Sequence, residues 1–110
     1  MQITVLSGSP LGNKSGTLQY VRYLQKKNPS VGFEVFHVGR LINRLLRKPD
    51  ELARVISSVA ACDAVLWAWP VYCGLIPSQL KFFIEAIHER GHAGALAGKA
   101  TTSLSTSVHF

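Results

Sequence analysis

Between Leu6 and Leu18 stand Ser7-Gly8-Ser9-Pro10-Leu11-Gly12-Asn13-Lys14-Ser15-Gly16-Thr17, with three glycines, three serines, an Asn and a Thr. Such residues suit an anion. Glycine lets backbone amides turn toward a phosphate, hydroxyls add donors, and a following helix brings free N–H groups and its positive dipole end. An ordinary strand-to-helix turn could share this composition, but such turns take about two to six residues and this one is longer. The G-x-G-x-x-G dinucleotide fingerprint is absent, because Pro10 stands where its second Gly belongs. The Walker pattern comes closer, since four residues separate Gly8 from Asn13-Lys14-Ser15, with Asn in place of Gly. Asn can visit positive φ, yet the apolar run at residues 64–69 ends in Trp-Pro with no Asp to hold magnesium, which argues against an ATPase.

A second constellation follows that run: Trp69-Pro70-Val71-Tyr72-Cys73-Gly74-Leu75-Ile76-Pro77. A rigid Pro, an aromatic and a Gly can offer backbone groups to the edge of a flat heterocycle while Tyr72 covers or borders a face. Tyr72 and Trp69 could equally be core aromatics of a proline-rich turn. Beside a phosphate loop the first reading is favoured, since a mononucleotide needs a phosphate site and a ring site at one sheet edge. His88-Glu89-Arg90-Gly91-His92 spells H-E-x-x-H, in which two His one helical turn apart could hold zinc for a hydrolase. Gly91 inside the motif marks a helix end, so the segment reads as polar helix terminus and no metal is assigned. Cys73 reads as a small wall residue and His37 as a strand residue rather than ligands.

These residues need elements to position them, and the punctuation predicts the order βαβαβαβ. Residues 3–6 form a strand, and Leu18, Val21 and Leu24 mark a helix with Ser15 or Thr17 as N-cap, stopped at Asn28-Pro29. Residues 33–38 are a second strand. Pro49 opens a helix whose stripe is Leu52, Val55, Ile56 and Val59. The run at 64–69 is apolar without alternation, the mark of an inner parallel strand. A helix from Pro77 presents Leu80, Phe83, Ile84 and Ile87 and ends near Gly91, and residues 99–108 supply a fourth strand. Strands alternating with helices imply a three-layer α/β domain, with an open parallel sheet and ligands beyond the carboxyl ends of its strands.

Composition agrees. The 110 residues are 47% hydrophobic and 16% charged, which excludes a disordered or collagen-like chain and allows one domain. Cys62 and Cys73 flank the apolar strand, roughly 20 Å or more apart and beyond disulfide reach. No apolar stretch nears the roughly 20 residues of a membrane span, and no basic n-region precedes an apolar core, so a cytoplasmic protein without membrane partners is expected. The formal charge of +6 raises the question of an anionic partner. Arg40, Arg44, Arg47 and Lys48 could form one basic face opposite Leu41, Ile42, Leu45 and Leu46, to meet nucleic acid or lipid phosphates. No aromatic is interleaved with them, and a solvated face on a connecting helix is the expectation, with no nucleic-acid partner.

Three stretches, ITVLSGSPLGNKSGT at 3–17, AVLWAWPVYCGLIPSQLK at 64–81 and, more weakly, GKATTSLSTS at 98–107, resemble the flavodoxin-like NAD(P)H-dependent FMN reductase family, including its iron–sulfur flavoprotein branch. The resemblance implies a sheet of order 2-1-3-4-5, FMN as cofactor, and NADPH or NADH as co-substrate passing hydride to flavin and electrons on to a small-molecule acceptor. It places Ser9, Asn13, Ser15, Gly16 and Thr17 around the FMN phosphate. Pro70, Val71, Tyr72, Cys73 and Gly74 would line the isoalloxazine, and no catalytic acid or base is named. Leu11 stands where the family usually has a basic residue, leaving one charge contact missing unless Lys14 replaces it; Gly16 stands where the family more often has Asn. The segment between the second strand and second helix holds no Cys, so no iron–sulfur centre is expected. With four strands read, the order becomes 2-1-3-4 with the fifth strand missing and the domain C-terminally incomplete. Strand four would then be an exposed edge, with Leu80, Phe83 or Leu104 less covered, weak FMN retention and self-association as a homo-oligomer, a dimer.

Overall fold

The computed structural model describes residues 1–12, 15–71 and 75–107, without the side chain of residue 107. In chain order the elements are β1 (Gln2–Ser7), α1 (Gly16–Lys27), β2 (Gly32–Phe36), α2 (Ile42–Arg47), α3 (Pro49–Ala61), β3 (Ala64–Val71), α4 (Ser78–Glu89), a 3-10 turn (Ala93–Leu96) and β4 (Ala100–Ser107). The four strands run parallel in the order β2-β1-β3-β4. This is the expected doubly wound, flavodoxin-like sheet. Because all strands are parallel, their carboxyl ends share one edge.

The inner strands are apolar throughout because both faces are covered. Val5 and Leu6 are both fully buried, on opposite faces, as their neighbours in sequence must be on a pleated strand. Leu6 and Val65 join Ile42 and Leu45 of α2, Leu52, Val55 and Val59 of α3, and Leu80, Phe83 and Ile87 of α4 in the larger core. Phe83 meets Trp67 edge to face, with centroids 6.3 Å apart, a geometry worth about 0.5–1.5 kcal/mol beyond its area. On the other face Val5, Leu66 and Ala68 pack against Leu18 and Val21 of α1.

Polar groups lock the layers. Buried Thr4 on β1 places its hydroxyl 2.9 Å from Ser58 Oγ and 3.2 Å from the Ser58 carbonyl, and Ser58 donates to Glu34 on β2. Lys99 Nζ donates to the carbonyls of Ala60 and Cys62, each at 2.6 Å, which puts a cation at the negative end of α3 and pins the start of β4. Cys62 is a buried free thiol donating to Val59 O at 3.1 Å.

Several boundaries differ from expectation. β2 ends at Phe36, and Val38 is buried in the turn beyond it. β3 continues through Val71, so Pro70 and Val71 lie at the end of a strand rather than in the loop. The pleat explains how Pro is tolerated there: Ala68 O accepts from Gly8 N at 2.7 Å on the β1 side, so Pro70, two residues on, points its missing donor to the same side, where β1 has already ended. Ile84 is 44% exposed and outside the core; Ala86 takes that place in the α4 stripe. Leu24 is also half-exposed at 37%. The sequence pattern predicts no element at Ala93–Leu96, where the 3-10 turn forms. Leu80 and Phe83, expected to lose cover, are 2% and 0% exposed beneath α4 itself. The outer edge of β4 has no strand partner among the described residues.

Candidate functional site

The loop after β1 is built on close backbone approaches. A Cβ on Gly8 would lie 2.7 Å from Leu80 Cδ2, and one on Gly39 would lie 2.3 Å from Gly8 O. Gly39 N donates to Ser7 O at 3.0 Å. The turn after β2 and the loop after β1 are therefore packed backbone against backbone, and the loop after β1 lies under the Leu80 side chain of the first turn of α4, at separations that only glycine permits. Gly12, at φ +58°, carries the loop through the left-handed region, and its carbonyl accepts from Ser15 N at 3.1 Å.

Ser9, Ser15 and Thr17 are each 1% exposed. Ser9 Oγ accepts from Leu11 N at 3.1 Å, closing a local turn. Ser15 occupies the N-cap position but makes no side-chain cap bond, and the first turn of α1 holds no acidic residue. Among the described residues no side chain caps the first amides of this twelve-residue helix, which stand at its positive end beside a loop of hydroxyls. Among the described residues nothing lies within 4 Å of where a Cβ on Gly16 would stand. This donor set has the chemistry that a phosphate needs.

Thr17, one of the two expected N-caps, is used otherwise. Its Oγ1 lies 2.7 Å from Thr106 Oγ1 near the end of β4, and Thr106 in turn pairs in register with Pro70 on β3. The first turn of α1 and the ends of β3 and β4 therefore converge. Thr106 lies near the carboxyl end of the fourth strand, where the parallel sheet leads one to expect ligands, but a hydroxyl in a Ser/Thr-rich strand carries no local mark of a partner 89 positions away. Of the remaining candidates, Asn13, Lys14, Tyr72, Cys73 and Gly74 lie outside the described residues.

The basic stretch is not a continuous face. Arg44 forms a bidentate pair with Glu51, Nε to Oε2 at 2.7 Å and Nη2 to Oε1 at 2.8 Å, which raises the Arg44 pKa and lowers that of Glu51. Arg47 donates to Asn43 O, and Arg90 of the α4 terminus donates to Leu46 O at 2.8 Å. Arg40 goes elsewhere, with its stem over Gly12. His37, just past β2, has its pKa lowered by burial first and then by the charges of Arg22 and Arg40; among the described residues its Nδ1 has no hydrogen-bond partner. At the far end α4 stops at Glu89 and Gly91 adopts φ +75°, so His88 and His92 are not one turn apart on a helix and the zinc spacing is broken. Among the described residues no helix is long and apolar enough to cross a membrane.

Comparison with known proteins agrees with this architecture. FerB, a flavoenzyme NAD(P)H:(acceptor) oxidoreductase from Paracoccus denitrificans, superposes with a TM-score of 0.72 at 24% identity, over 94% of this chain and 59% of its own. RosB, solved with a bound 8-demethyl-8-formylriboflavin-5'-phosphate intermediate, gives 0.74 at 14% identity, over 100% of this chain and 53% of its own. An FMN-dependent NADH-azoreductase from Bacillus anthracis, in complex with FMN, gives 0.64 at 9%, over 100% and 70%. At these identities the likeness is one of fold, and the chain spans only about three fifths of FerB. No curated protein matches the sequence. The family model for NADPH-dependent FMN reductase matches residues 1–109, and the chain belongs to that family.

Proposed function

We propose that the chain forms the flavin-binding part of an oxidoreductase that takes FMN as cofactor, NADPH or NADH as co-substrate, and a small-molecule electron acceptor. One observation carries this reading. The buried hydroxyls of the first loop and the uncapped first turn of α1 meet the ends of β3 and β4 through the Thr17–Thr106 contact, at the sheet edge where a mononucleotide needs both its sites. Ser9, Asn13, Ser15, Gly16 and Thr17 are assigned to the phosphate, and Pro70, Val71, Tyr72, Cys73 and Gly74 to the ring. When bound, the flavin supplies the hydride-accepting chemistry. The chain's own work is to anchor the phosphate at the α1 terminus and to fix the ring edge against the end of β3; no side chain is assigned as acid or base. The edge of β4, which has no strand partner among the described residues, is available to pair with a second copy in a homodimer, and a cytoplasmic setting goes with this reading.

The absorbance spectrum of the purified protein tests the assignment. A flavin band at substoichiometric or full occupancy, with NADPH oxidation when an acceptor is added, is the expected result. Protein that purifies colourless and takes up no added FMN would overturn it. Flavin binding without NAD(P)H oxidation would leave an electron-carrier module in place of the enzyme.

A further inference from the structure

The turn after β2 delivers an arginine to the phosphate loop. Gly39 is held against Gly8 by backbone contact and by its bond to Ser7 O, which fixes where the next residue, Arg40, leaves the chain. Its side chain then lies across Gly12: a Cβ there would stand 2.6 Å from Arg40 Cδ and 3.5 Å from Arg40 Nε. Gly12 is the second residue of the loop to need the absence of a side chain, at φ +58° for its backbone and under Arg40 for its space. Arg40 is exposed and makes no hydrogen bond or ion pair with the described residues, whereas Arg44 is consumed by Glu51, and Arg47 and Arg90 by backbone carbonyls. Arg40 and Arg22 each lower the pKa of His37, which lies just before this turn. An arginine packed on a glycine-bearing loop, with no acid among the described residues to hold it there, keeps its donors available to an incoming anion.

We propose that Arg40 is a phosphate-binding residue of the flavin site, reaching over Gly12 to pair with the phosphate that the first loop holds. It rests on the functional reading above, and supplies from the neighbouring turn the charge that Leu11 cannot. Arginine suits this part because its fork can take two phosphate oxygens and its charge is permanent.

Fluorescence titrations of FMN and of riboflavin, at two salt concentrations, test this on the full chain and on Arg40→Gln, Arg40→Lys and Lys26→Gln. Arg40→Gln should weaken FMN about tenfold, leave riboflavin unchanged and reduce the salt dependence of FMN binding, the mark of a lost phosphate contact. Arg40→Lys should recover part of the loss, and Lys26→Gln, at the far end of α1, should match the parent. FMN affinity within twofold of the parent in Arg40→Gln overturns the role of Arg40. A parent chain that does not prefer FMN to riboflavin overturns instead the phosphate reading on which that role depends.

Discussion

In the proposed site Thr17 is the central residue, because its hydroxyl joins the first turn of α1, assigned to the phosphate, to the end of β4, which pairs with the end of β3 assigned to the ring. Thr17→Val keeps the shape and removes the hydroxyl, so FMN binding should weaken about tenfold and stability fall by about 1 kcal/mol; Thr17→Ser should restore most of both. Flavin titration and thermal melts on the two variants check it, and an unaffected Thr17→Val would take the contact out of the site. His37 gives a second test at this scale. Burial, then Arg22 and Arg40, hold its imidazole below the ordinary 6.5. Between that depressed value and 6.5 the unfolded chain binds a proton that the folded chain does not, so stability rises with pH through the window and falls on acidification through it. A proton NMR titration should place the His37 midpoint below 6.5, and a midpoint at or above it would contradict the buried, cation-flanked setting.

At the scale of elements, two devices hold the loops in place, and each has a measurable cost when removed. Gly39→Ala would drive a methyl into Gly8 O, a backbone atom that cannot rotate away, so a loss of about 1–3 kcal/mol in denaturant unfolding is expected, with flavin binding weakened in step. Lys99→Met should cost about 1.5–3 kcal/mol by leaving the Ala60 and Cys62 carbonyls without their cation, with no effect on FMN affinity in the folded protein. Element order was legible because both signals were local: apolar runs such as 64–69, and the punctuation Asn28-Pro29, Pro49 and Gly91. What was not legible is where a partner decides the outcome. The continuation of β3 through Pro70 depends on β1 ending at Ser7, and the exposure of Ile84 depends on which helix face meets the sheet. Arg40 was readable as one base among four; that it leaves the others to lie on Gly12 follows from Gly39 meeting Gly8, a contact between two loops.

For the whole molecule, the sheet gathers residues from the start, middle and end of the chain to one edge, and this makes a single ligand's two halves testable together. The phosphate half of the proposed site carries more of the reading than the ring half, because Ser9, Ser15, Gly16, Thr17 and the α1 terminus are described there, against only Pro70 and Val71 for the ring. Isothermal titration of the protein with FMN and with riboflavin, which differ only in that phosphate, is therefore the most direct measurement. FMN should bind at least about tenfold more tightly, the contribution of one or more charge-assisted hydrogen bonds. Equal affinity for the two flavins would contradict the account, and would return the loop after β1 to a structural turn with no ligand of its own.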